Sequence, residues 1–394
     1  MFPWSDNWWI EGDRAWFCGG EINALFCVDM NNGQCELVAR IPECAIVDFR
    51  LNSYCMKYKD IILCLPSEAK CIWCYDLKKD AWEKIPVDNK EQIFYYQENN
   101  NQIFFWDYAG WLYKMDLEEK KVRKIFFKKF QKEEMPQYVI VEDKLYHVRG
   151  SKILCLDLND NDIQEVIYEI PHIKADLFTI CFDGTNFWLS GHAKEICVWN
   201  PEAGVVRMIT DFPEQFGFYH FEQGEIPYLD RESYIDTKSA LFEFSIAIGK
   251  YVWFIPDRSN DIIFIDKETY KVFMLELEEE QETKESIDNH LMDFKFLLQY
   301  IRENRYIGIY SLKNRIVFEI DTIDLCVKRT DYKLSEQSII MIVEAYRQYE
   351  GYRILSEKNE NDTRCLSYML KINHEKDKKQ AREIGDTIYH TLSD

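Results

Sequence analysis

Short apolar runs recur along the chain, and many of them end in an acidic or amide residue that is followed by a polar turn. This order of apolar, polar and turn positions is shared by LFCVDMNNG, IWCYDLKKD, KILCLDLND and IIFIDKETY. Runs of this length that are rich in β-branched and aromatic residues, and are bounded by turn residues, are typical of β-strands. The pattern therefore predicts a mostly β protein in which short strands follow one another closely.

The acidic or amide residue, called the marker below, gives the pattern its period. Seven markers are clear, namely Asp29, Asp76, Asp116, Asp157, Asn200, Asp266 and Asp321. Successive markers are 47, 40, 41, 43, 66 and 55 residues apart, and a weaker eighth candidate stands at Asn373. An Asp or Asn side chain at the end of a strand can accept a hydrogen bond from the backbone two residues on, which closes the turn. The marker therefore predicts turn chemistry rather than catalysis.

Each marker is surrounded by further apolar runs, two upstream and one downstream. Around Asp157, for example, these runs are QYVIV, DKLYHVRG and IQEV. They define four strands, a to d, with the marker at the end of strand c. A repeat of four short strands every 40 to 50 residues or so is typical of β-propeller blades, because neighbouring blades must cover the faces of each sheet. The chain is therefore predicted to be an all-β propeller of four-stranded blades.

The number of blades follows from the number of markers. Seven markers predict seven blades, and residues 338–372, which include SIIMIVEAY and RCLSYMLKI, supply strands a, b and c of an eighth. Its strand d is missing from this run, unless the N-terminal MFPWS provides it by pairing across the closure of the ring. Seven or eight blades are therefore expected, with eight favoured over seven.

The C-terminal residues 374–394 follow a different period. Ala381, Ile384, Ile388 and Leu392 recur at spacings of three and four, which predicts an amphipathic helix. Two regions are therefore expected, a propeller over residues 1–373 and a C-terminal helix over 374–394. The helix either packs on the propeller or docks another protein.

Two segments resemble a known class of propeller repeat. YDLKKDAWEKIP resembles the third strand, turn, Trp and fourth strand of kelch-like repeats, with Trp82 as the turn tryptophan. WFCGG resembles their second strand, which ends in a glycine pair, here Gly19 and Gly20. The resemblance implies a propeller fold and leaves the function open.

The Cys-x-x-Cys of Cys71 and Cys74 suggests either a thiol centre or two ordinary strand residues. Both cysteines fall on a predicted strand c, where side chains alternate between faces, so residues three apart point to opposite sides of the sheet. We therefore expect structural thiols, with a zinc or redox site as the alternative.

Composition narrows the classes of partner and compartment. With 48 Lys and Arg against 69 Asp and Glu, the net charge of −21 repels phosphate backbones, so nucleic acid is not expected as a partner. No apolar run is long enough for membrane insertion, and no N-terminal targeting pattern is recognised. Thirteen cysteines, an odd number, favour free thiols in the cytoplasm. A monomer or a member of a hetero-complex is expected.

The candidate binding surface follows from topology. In a propeller of this strand order, the b-to-c and d-to-a connections open on one face, and the long connection at residues 213–238, rich in aromatic and acidic residues, belongs to it. The acidic residues 277–293 lie on the same face. Long loops in compact repeats often carry function. The predicted binding residues are Asp107, Tyr108, Arg149, His192, Tyr219, His220, Glu222, Tyr228, Asp230, Arg258 and Asp261.

Enzyme motifs are not recognised in the sequence. It contains no Gly-x-Ser-x-Gly, no Gly-rich phosphate loop, no His-Glu-x-x-His and no paired Cys-x-x-Cys units. His147, His192 and His220 form an alternative metal or acid–base site at the mouth of the funnel. The sequence predicts a non-catalytic binding or scaffold propeller that recognises a protein or a carbohydrate (glycan) ligand, with no cofactor, metal or catalytic residue assigned. The alternative is an enzyme that acts on a sugar or other polar metabolite in the funnel.

Overall fold

The protein is a seven-bladed β-propeller in which each blade is a four-stranded antiparallel sheet. The computed structural model describes residues 3–44, 46, 51–129, 137–159, 163–171, 173, 176–214, 216, 241–256, 261–275, 277, 296–311 and 316–353. Blades 1 and 2 contain β1 (Trp9–Glu11), β2 (Arg14–Cys18), β3 (Ala24–Asp29), β4 (Gln34–Arg40), β5 (Tyr54–Tyr58), β6 (Ile61–Leu65), β7 (Cys71–Asp76) and β8 (Ala81–Pro86).

The other five blades follow in chain order. Blades 3 and 4 contain β9 (Ile93–Asn99), β10 (Gln102–Asp107), β11 (Trp111–Asp116), β12 (Lys121–Phe127), β13 (Tyr138–Val141), β14 (Lys144–Arg149), β15 (Lys152–Asp157) and β16 (Glu165–Glu169). Blades 5 and 6 contain β17 (Leu177–Phe182), β18 (Phe187–Gly191), β19 (Ile196–Asn200), β20 (Gly204–Ile209), β21 (Phe242–Ile248), β22 (Tyr251–Pro256), β23 (Ile262–Asp266) and β24 (Val272–Leu275). Blade 7 contains β25 (Phe296–Arg302), β26 (Tyr306–Ser311), β27 (Ile316–Asp321) and β28 (Cys326–Thr330). A short strand, β29 (Lys333–Leu334), and the helix α1 (Glu336–Arg353) come after it.

The strands of a blade differ in burial because the blades stack on both faces. Second strands such as β18 and β22 are buried along their whole length, whereas outer strands such as β16 and β28 are mostly exposed. The buried apolar residues form seven clusters, one at each junction between neighbouring blades. Burying a large apolar side chain contributes roughly 1.5 to 3 kcal/mol, so these junctions hold the ring together.

The markers confirm the predicted repeat. All seven end a strand c, and their side-chain oxygens accept hydrogen bonds from the turn backbone. The Asp116 carboxylate accepts from the backbone N–H of Glu118 at 2.9 Å and of Glu119 at 2.8 Å. The Asn200 amide oxygen accepts from Glu202 N–H at 2.9 Å. The candidate marker Asn373 lies outside the described residues.

The two cysteines of the Cys-x-x-Cys lie on opposite faces of β7, as predicted. Cys71 belongs to the core between blades 1 and 2 with Trp16, whereas Cys74 belongs to the core between blades 2 and 3 with Met115. Both are free thiols, as are the other cysteines in the described part of the chain. Burial raises the pKa of Cys74 to about 12, which keeps its thiol protonated and unreactive at neutral pH.

The preference for an eighth blade was wrong, because blade 7 packs directly on blade 1. Val317 of blade 7 and Phe17 of blade 1 belong to one core, and the Trp8 backbone N–H donates to the carbonyl of Gln299 at 2.5 Å. The run at residues 338–346, predicted as a strand a, lies in α1. The other strands predicted for an eighth blade, and the predicted helix at 374–394, lie outside the described residues.

The ring is closed by segments from far apart in the sequence. β29 pairs in parallel with β4, so that blade 1 gains a fifth strand at its outer edge. The Ser335 hydroxyl accepts from the backbone N–H of Ser338 at 3.2 Å and caps the start of α1. The Ser338 hydroxyl in turn accepts from Leu37 N–H at 2.7 Å.

The N-terminal MFPWS was also predicted to complete a blade. In its described part, residues 3–5, it forms no strand. Instead, the Trp4 carbonyl accepts from the backbone N–H of Gly20 at 2.7 Å, so the segment packs at the junction of blades 7 and 1. No helix in the described part of the chain is long and apolar enough to cross a membrane.

Candidate functional site

A cavity of about 540 Å³ lies on the axis of the ring. The segment Asp6–Ile10 and the inner strands of all the blades contribute residues to its wall. These residues come largely from the first halves of the inner strands, for example Tyr54–Met56 at the start of β5. Inner strands begin where the d-to-a connections end, so the cavity lies at the end of the channel that carries the b-to-c and d-to-a connections.

Four inner strands carry a β-bulge, and each bulged residue lines this cavity. In β9, Phe94 pairs with Trp106 and Tyr96 with Phe105, so Tyr95 has no residue opposite it. The residues skipped in the same way are Phe178 in β17, Glu243 in β21 and Gln299 in β25. A bulge re-aims a side chain that strict alternation would direct elsewhere, and bulges are over-represented beside functional sites.

The backbone conformation at Tyr95 is unusual and is supported by a hydrogen bond from the next blade. Its φ is 46°, in the left-handed region that side-chain-bearing residues adopt rarely. Its carbonyl accepts a hydrogen bond from the Tyr138 hydroxyl of the next blade at 2.8 Å. The surrounding structure thus holds an unusual conformation that presents an aromatic side chain to the cavity.

Amide side chains in the wall connect neighbouring blades. The Asn7 amide donates to the Cys55 carbonyl at 2.8 Å and accepts from the Cys55 N–H at 2.7 Å. The Gln97 amide donates to the Tyr138 carbonyl at 2.7 Å and accepts from the Ile140 N–H at 2.9 Å. Each amide both donates to and accepts from the backbone of the next blade, so these side chains tie neighbouring blades together around the cavity.

Gln299 and Gln137 play similar parts. The Gln299 amide donates to the Ser5 carbonyl at 2.8 Å and accepts from the Ser5 hydroxyl at 2.9 Å, across the closure of the ring. The Gln137 amide oxygen accepts from the backbone N–H groups of Ile180 at 3.2 Å and Ser245 at 3.3 Å. Four blade junctions are therefore bridged by amides around the cavity.

Aromatic rings dominate the rest of the wall. Ten of the described lining residues are aromatic, namely Trp8, Trp9, Tyr54, Phe94, Tyr95, Tyr96, Tyr138, Phe178, Phe244 and Tyr300. Several of their hydroxyls donate into the wall, Tyr138 to the Phe104 carbonyl at 2.8 Å and Tyr300 to the Glu319 carboxylate at 2.9 Å. Burial raises the pKa of both phenols, which are neutral at physiological pH. The cavity is therefore bounded largely by ring surfaces.

The charged residues of the described lining are both acidic. Asp6 lies near the start of the chain and accepts from the Ser53 hydroxyl, and Glu243 is 8% exposed. Burial raises the pKa of Tyr95, and the carboxylates of Glu243 and Asp6 raise it further. Both carboxylates therefore act on the same phenol inside the cavity.

Two of the residues predicted from sequence contact the wall of the cavity. The Tyr108 ring packs on Phe94 with centroids 5.1 Å apart, and the His192 ring meets Phe178 edge-on at 6.3 Å. Arg149 donates to the carbonyl of Lys129 at 2.6 Å. Tyr108 and His192 thus each pack against an aromatic residue of the lining.

Asp107 and Asp261 are buried instead of facing solvent. The Asp107 carboxylate accepts from the backbone N–H of Trp111 at 2.9 Å, from the Tyr113 hydroxyl at 2.8 Å and from the Lys90 N–H at 3.4 Å. Asp107 therefore ties the b-to-c turn of blade 3 to the preceding d-to-a connection. The remaining predicted residues lie outside the described part of the chain, namely Tyr219, His220, Glu222, Tyr228, Asp230 and Arg258.

Of the three histidines of the alternative site, only His147 and His192 lie in the described part of the chain. His147 is fully buried within β14, where its ring lies 5.8 Å from Trp106, and His220 lies outside the described residues. Among the described residues, no group of three His, Cys, Asp or Glu side chains is placed to hold a metal ion.

Sequence reasoning missed the residues that line the cavity. Tyr95, Glu243 and Gln299 lie on the inner strands β9, β21 and β25, and none of them is among the predicted binding residues. Each is a bulged residue whose direction is set by pairing with the next strand, so no local pattern in the sequence marks it.

No family model matches this chain, and no curated protein matches it. Solved structures that resemble it are β-propeller proteins. Virginiamycin B lyase from Staphylococcus aureus aligns with a TM-score of 0.54 and 11% identity, over 80% of this chain and 93% of the lyase chain. Sqt1 from Saccharomyces cerevisiae aligns with a TM-score of 0.51 and 11% identity, over 83% of this chain and 88% of Sqt1.

A designed protein shows the same level of similarity. The computationally designed Ika8 protein aligns with a TM-score of 0.53 and 9% identity, over 85% of this chain and 89% of Ika8. The structural alignments establish a common fold. At identities this low they carry no information about function, which must be argued from the site itself.

Proposed function

We propose that this propeller is a non-catalytic binding module that recognises another protein through the face carrying the b-to-c and d-to-a connections. The observation that supports this proposal is the axial cavity, whose aromatic wall is formed in part by bulged residues such as Tyr95 and Phe178. Its volume of about 540 Å³ is typical of ligand-binding cavities. Aromatic side chains in such pockets commonly provide the largest contributions to protein–protein binding.

The chemistry of the wall favours a protein over a carbohydrate. Sugar hydroxyls require donors and acceptors directed at the ligand, whereas the amides of Asn7, Gln97 and Gln299 are used between blades. The same consideration weighs against an enzyme that acts on a sugar or another polar metabolite in this cavity.

Other elements of the sequence-based hypothesis are retained in the proposal. Tyr108, His192 and Arg149 belong to the proposed rim, and the residues beyond the described ranges stay predicted contributors. The kelch-like resemblance and a role in a hetero-complex also remain part of the proposal. The buried free thiols suit a reducing compartment such as the cytoplasm.

The test compares partner capture by matched tyrosine variants. Tyr54 and Tyr95 line the cavity, whereas Tyr306 begins β26 at the opposite end of the blade and serves as the control. In quantitative pull-downs from the native cell, we expect a stoichiometric partner with the wild type and with Tyr306→Ala. Tyr54→Ala and Tyr95→Ala should weaken its binding at least thirtyfold, the effect of losing a hot-spot contact of about 2 kcal/mol.

Circular dichroism and thermal melting must show that all three variants are folded. Equal capture of the same partner by the cavity variants and the control would contradict the proposal. Turnover of a sugar or other polar metabolite that is abolished by the cavity variants would establish the enzymatic alternative instead.

A further inference from the structure

The wall of the axial cavity has the features of a cation site. Its described charged residues are Asp6 and Glu243, and none of its described residues is Lys, Arg or His. Glu243 is a bulged residue of β21 and is 8% exposed, so its carboxylate lies inside the cavity wall rather than in bulk solvent. Charge interactions are stronger in such a partly desolvated site than at an open surface. An anionic ligand would meet negative charge there.

The ring surfaces identify the kind of cation. Tyr54 and Tyr96 lie against each other with centroids 4.8 Å apart, and Tyr95, Trp8 and Trp9 line the same space. The face of an aromatic ring carries partial negative charge and attracts ammonium groups within about 6 Å of its centroid. Burial keeps the Tyr96 phenol neutral by raising its pKa, so its ring remains an uncharged surface.

The use of hydrogen-bonding groups narrows the choice further. The amides of Gln97 and Gln137 and the hydroxyl of Tyr138 all bond to backbone atoms within the wall. A ligand head that needs both donors and acceptors, such as a sugar, finds few partners among these groups. A guanidinium has five N–H donors and finds charged acceptors only in the carboxylates of Asp6 and Glu243 among the described lining residues. A methylated ammonium group carries positive charge, has few or no N–H donors and contacts ring faces through its methyl groups.

We infer that the axial cavity binds a methylated ammonium group, presented by a methylated lysine side chain of the protein partner. The assignment of the group to a lysine side chain of a protein partner rests on the proposed function. Its chemistry, a methylated ammonium, rests on the cavity alone. Glu243 and Asp6 supply the negative charge, and the rings of Tyr54, Tyr95 and Tyr96 supply the contact surface.

The first experiment uses three small probes of one shape and different charge. Choline is the cation, 3,3-dimethylbutan-1-ol is its neutral isostere and 3,3-dimethylbutanoate is an anion. Isothermal titration should give choline a Kd on the order of 1 mM, as its few atoms permit, and at least tenfold weaker binding for the other two. Equal binding of the isostere, tighter binding of the anion or no binding of choline at about 20 mM would overturn the inference.

The second experiment uses matched variants with the same probes. Glu243→Gln should weaken choline binding about tenfold and leave the isostere unchanged, because the charge is lost and the shape is kept. Glu202→Gln, in the exposed c-to-d turn of blade 5, should have no effect. Tyr54→Phe keeps the ring and should keep binding, whereas Tyr54→Leu should lose it. Choline binding that survives both Glu243→Gln and Tyr54→Leu would place the site elsewhere.

The third experiment separates the source of the group from its chemistry. Two glycine-serine peptides are compared, identical except for one lysine or one trimethyllysine. Tighter binding of the trimethylated peptide than of choline supports a protein side chain as the source, whereas choline binding without peptide binding overturns that source. A partner that still requires Tyr54 and Tyr95 when choline does not bind would leave the proposed function standing and remove the ammonium inference alone.

Discussion

The two faces of the propeller differ in how closely they follow the repeat. On the face with the c-to-d turns, every blade ends strand c with a marker that closes the turn in the same way. On the other face, bulges at Tyr95, Phe178, Glu243 and Gln299 interrupt four inner strands and leave the other three regular. Chemistry that recurs in every blade serves the fold, whereas departures that converge on one cavity indicate a site.

Blade 3 shows the contrast with a single residue type. Asp116 ends strand c, and its carboxylate bonds to backbone N–H groups in an exposed turn. Asp107 ends strand b at the other face, and its buried carboxylate holds Trp111, Tyr113 and Lys90 together. The same side chain therefore closes a local turn at one end and joins separate segments at the other.

The largest effect is expected from Asp107→Ala. The substitution leaves the Trp111 N–H without its side-chain acceptor in a buried place, which costs about 1 to 3 kcal/mol. It also removes one of the two acceptors of the Tyr113 hydroxyl, which then keeps only the Asp88 carbonyl at 3.0 Å. We expect a loss of about 2 to 4 kcal/mol in the free energy of unfolding. Equilibrium urea unfolding measures it, with Asp116→Ala as the matched control at about 1 kcal/mol. Similar losses at both positions would remove the distinction between the two faces.

A smaller and pH-dependent effect is expected from Asp321→Asn in blade 7. Arg305 donates to the Asp321 carboxylate at 2.9 Å and lowers its pKa to about 2. An unfolded Asp has a pKa of about 3.9, so this carboxylate stabilises the folded state above pH 4 or so, and the stabilisation is lost as the pH falls from about 4 to about 2. At pH 7 the free energy of unfolding of the wild type should therefore be larger than that of Asp321→Asn. The difference should be smaller than the loss expected for Asp107→Ala.

The pH series itself provides the check on that prediction. Urea midpoints of wild type and Asp321→Asn should converge as the pH is lowered towards 2, because the wild-type carboxylate is then protonated. A difference that stays constant from pH 7 to pH 2 would show that the Arg305 ion pair contributes nothing to stability.

The smallest effect is expected from Asp116→Asn. Asn200 already closes the corresponding turn in blade 5 through its amide oxygen, 2.9 Å from the Glu202 N–H. Asn at position 116 can accept the same backbone hydrogen bonds, so we expect a change within about 0.5 kcal/mol. Thermal melting of the variant beside the wild type is sufficient. A loss above 1 kcal/mol or so would mean that the marker needs its charge, and that Asn200 is a special case.

The sequence predicts well the features that recur in every blade. Strand order, the markers and the opposite orientation of Cys71 and Cys74 follow from local patterns that recur in each blade. The eighth blade was predicted because SIIMIVEAY has the composition of a strand. Its helical state follows from distant contacts, such as the Ser338 hydroxyl with Leu37, 301 residues earlier in the chain. Local propensity does not contain that information.

The site is harder to predict because it depends on register between strands. Tyr95 points into the cavity because Phe94 and Tyr96 pair with adjacent residues of β10, and a one-residue offset of this kind has no local signature. The burial of Asp107 likewise depends on Tyr113, which reaches it from the neighbouring strand. A position at the end of a predicted strand b therefore suggested an exposed loop residue, where the structure has a buried one.

The pairing of β29 with β4 determines when blade 1 can be completed during synthesis. Ser335 bonds to Glu36 across 299 residues, and β29 covers the outer edge of β4. Until residue 335 has left the ribosome, blade 1 presents an open strand edge to which another polypeptide can pair. Contacts of such long sequence separation also form slowly. The nascent protein therefore carries this open edge from the synthesis of blade 1 until the six further blades and β29 have emerged.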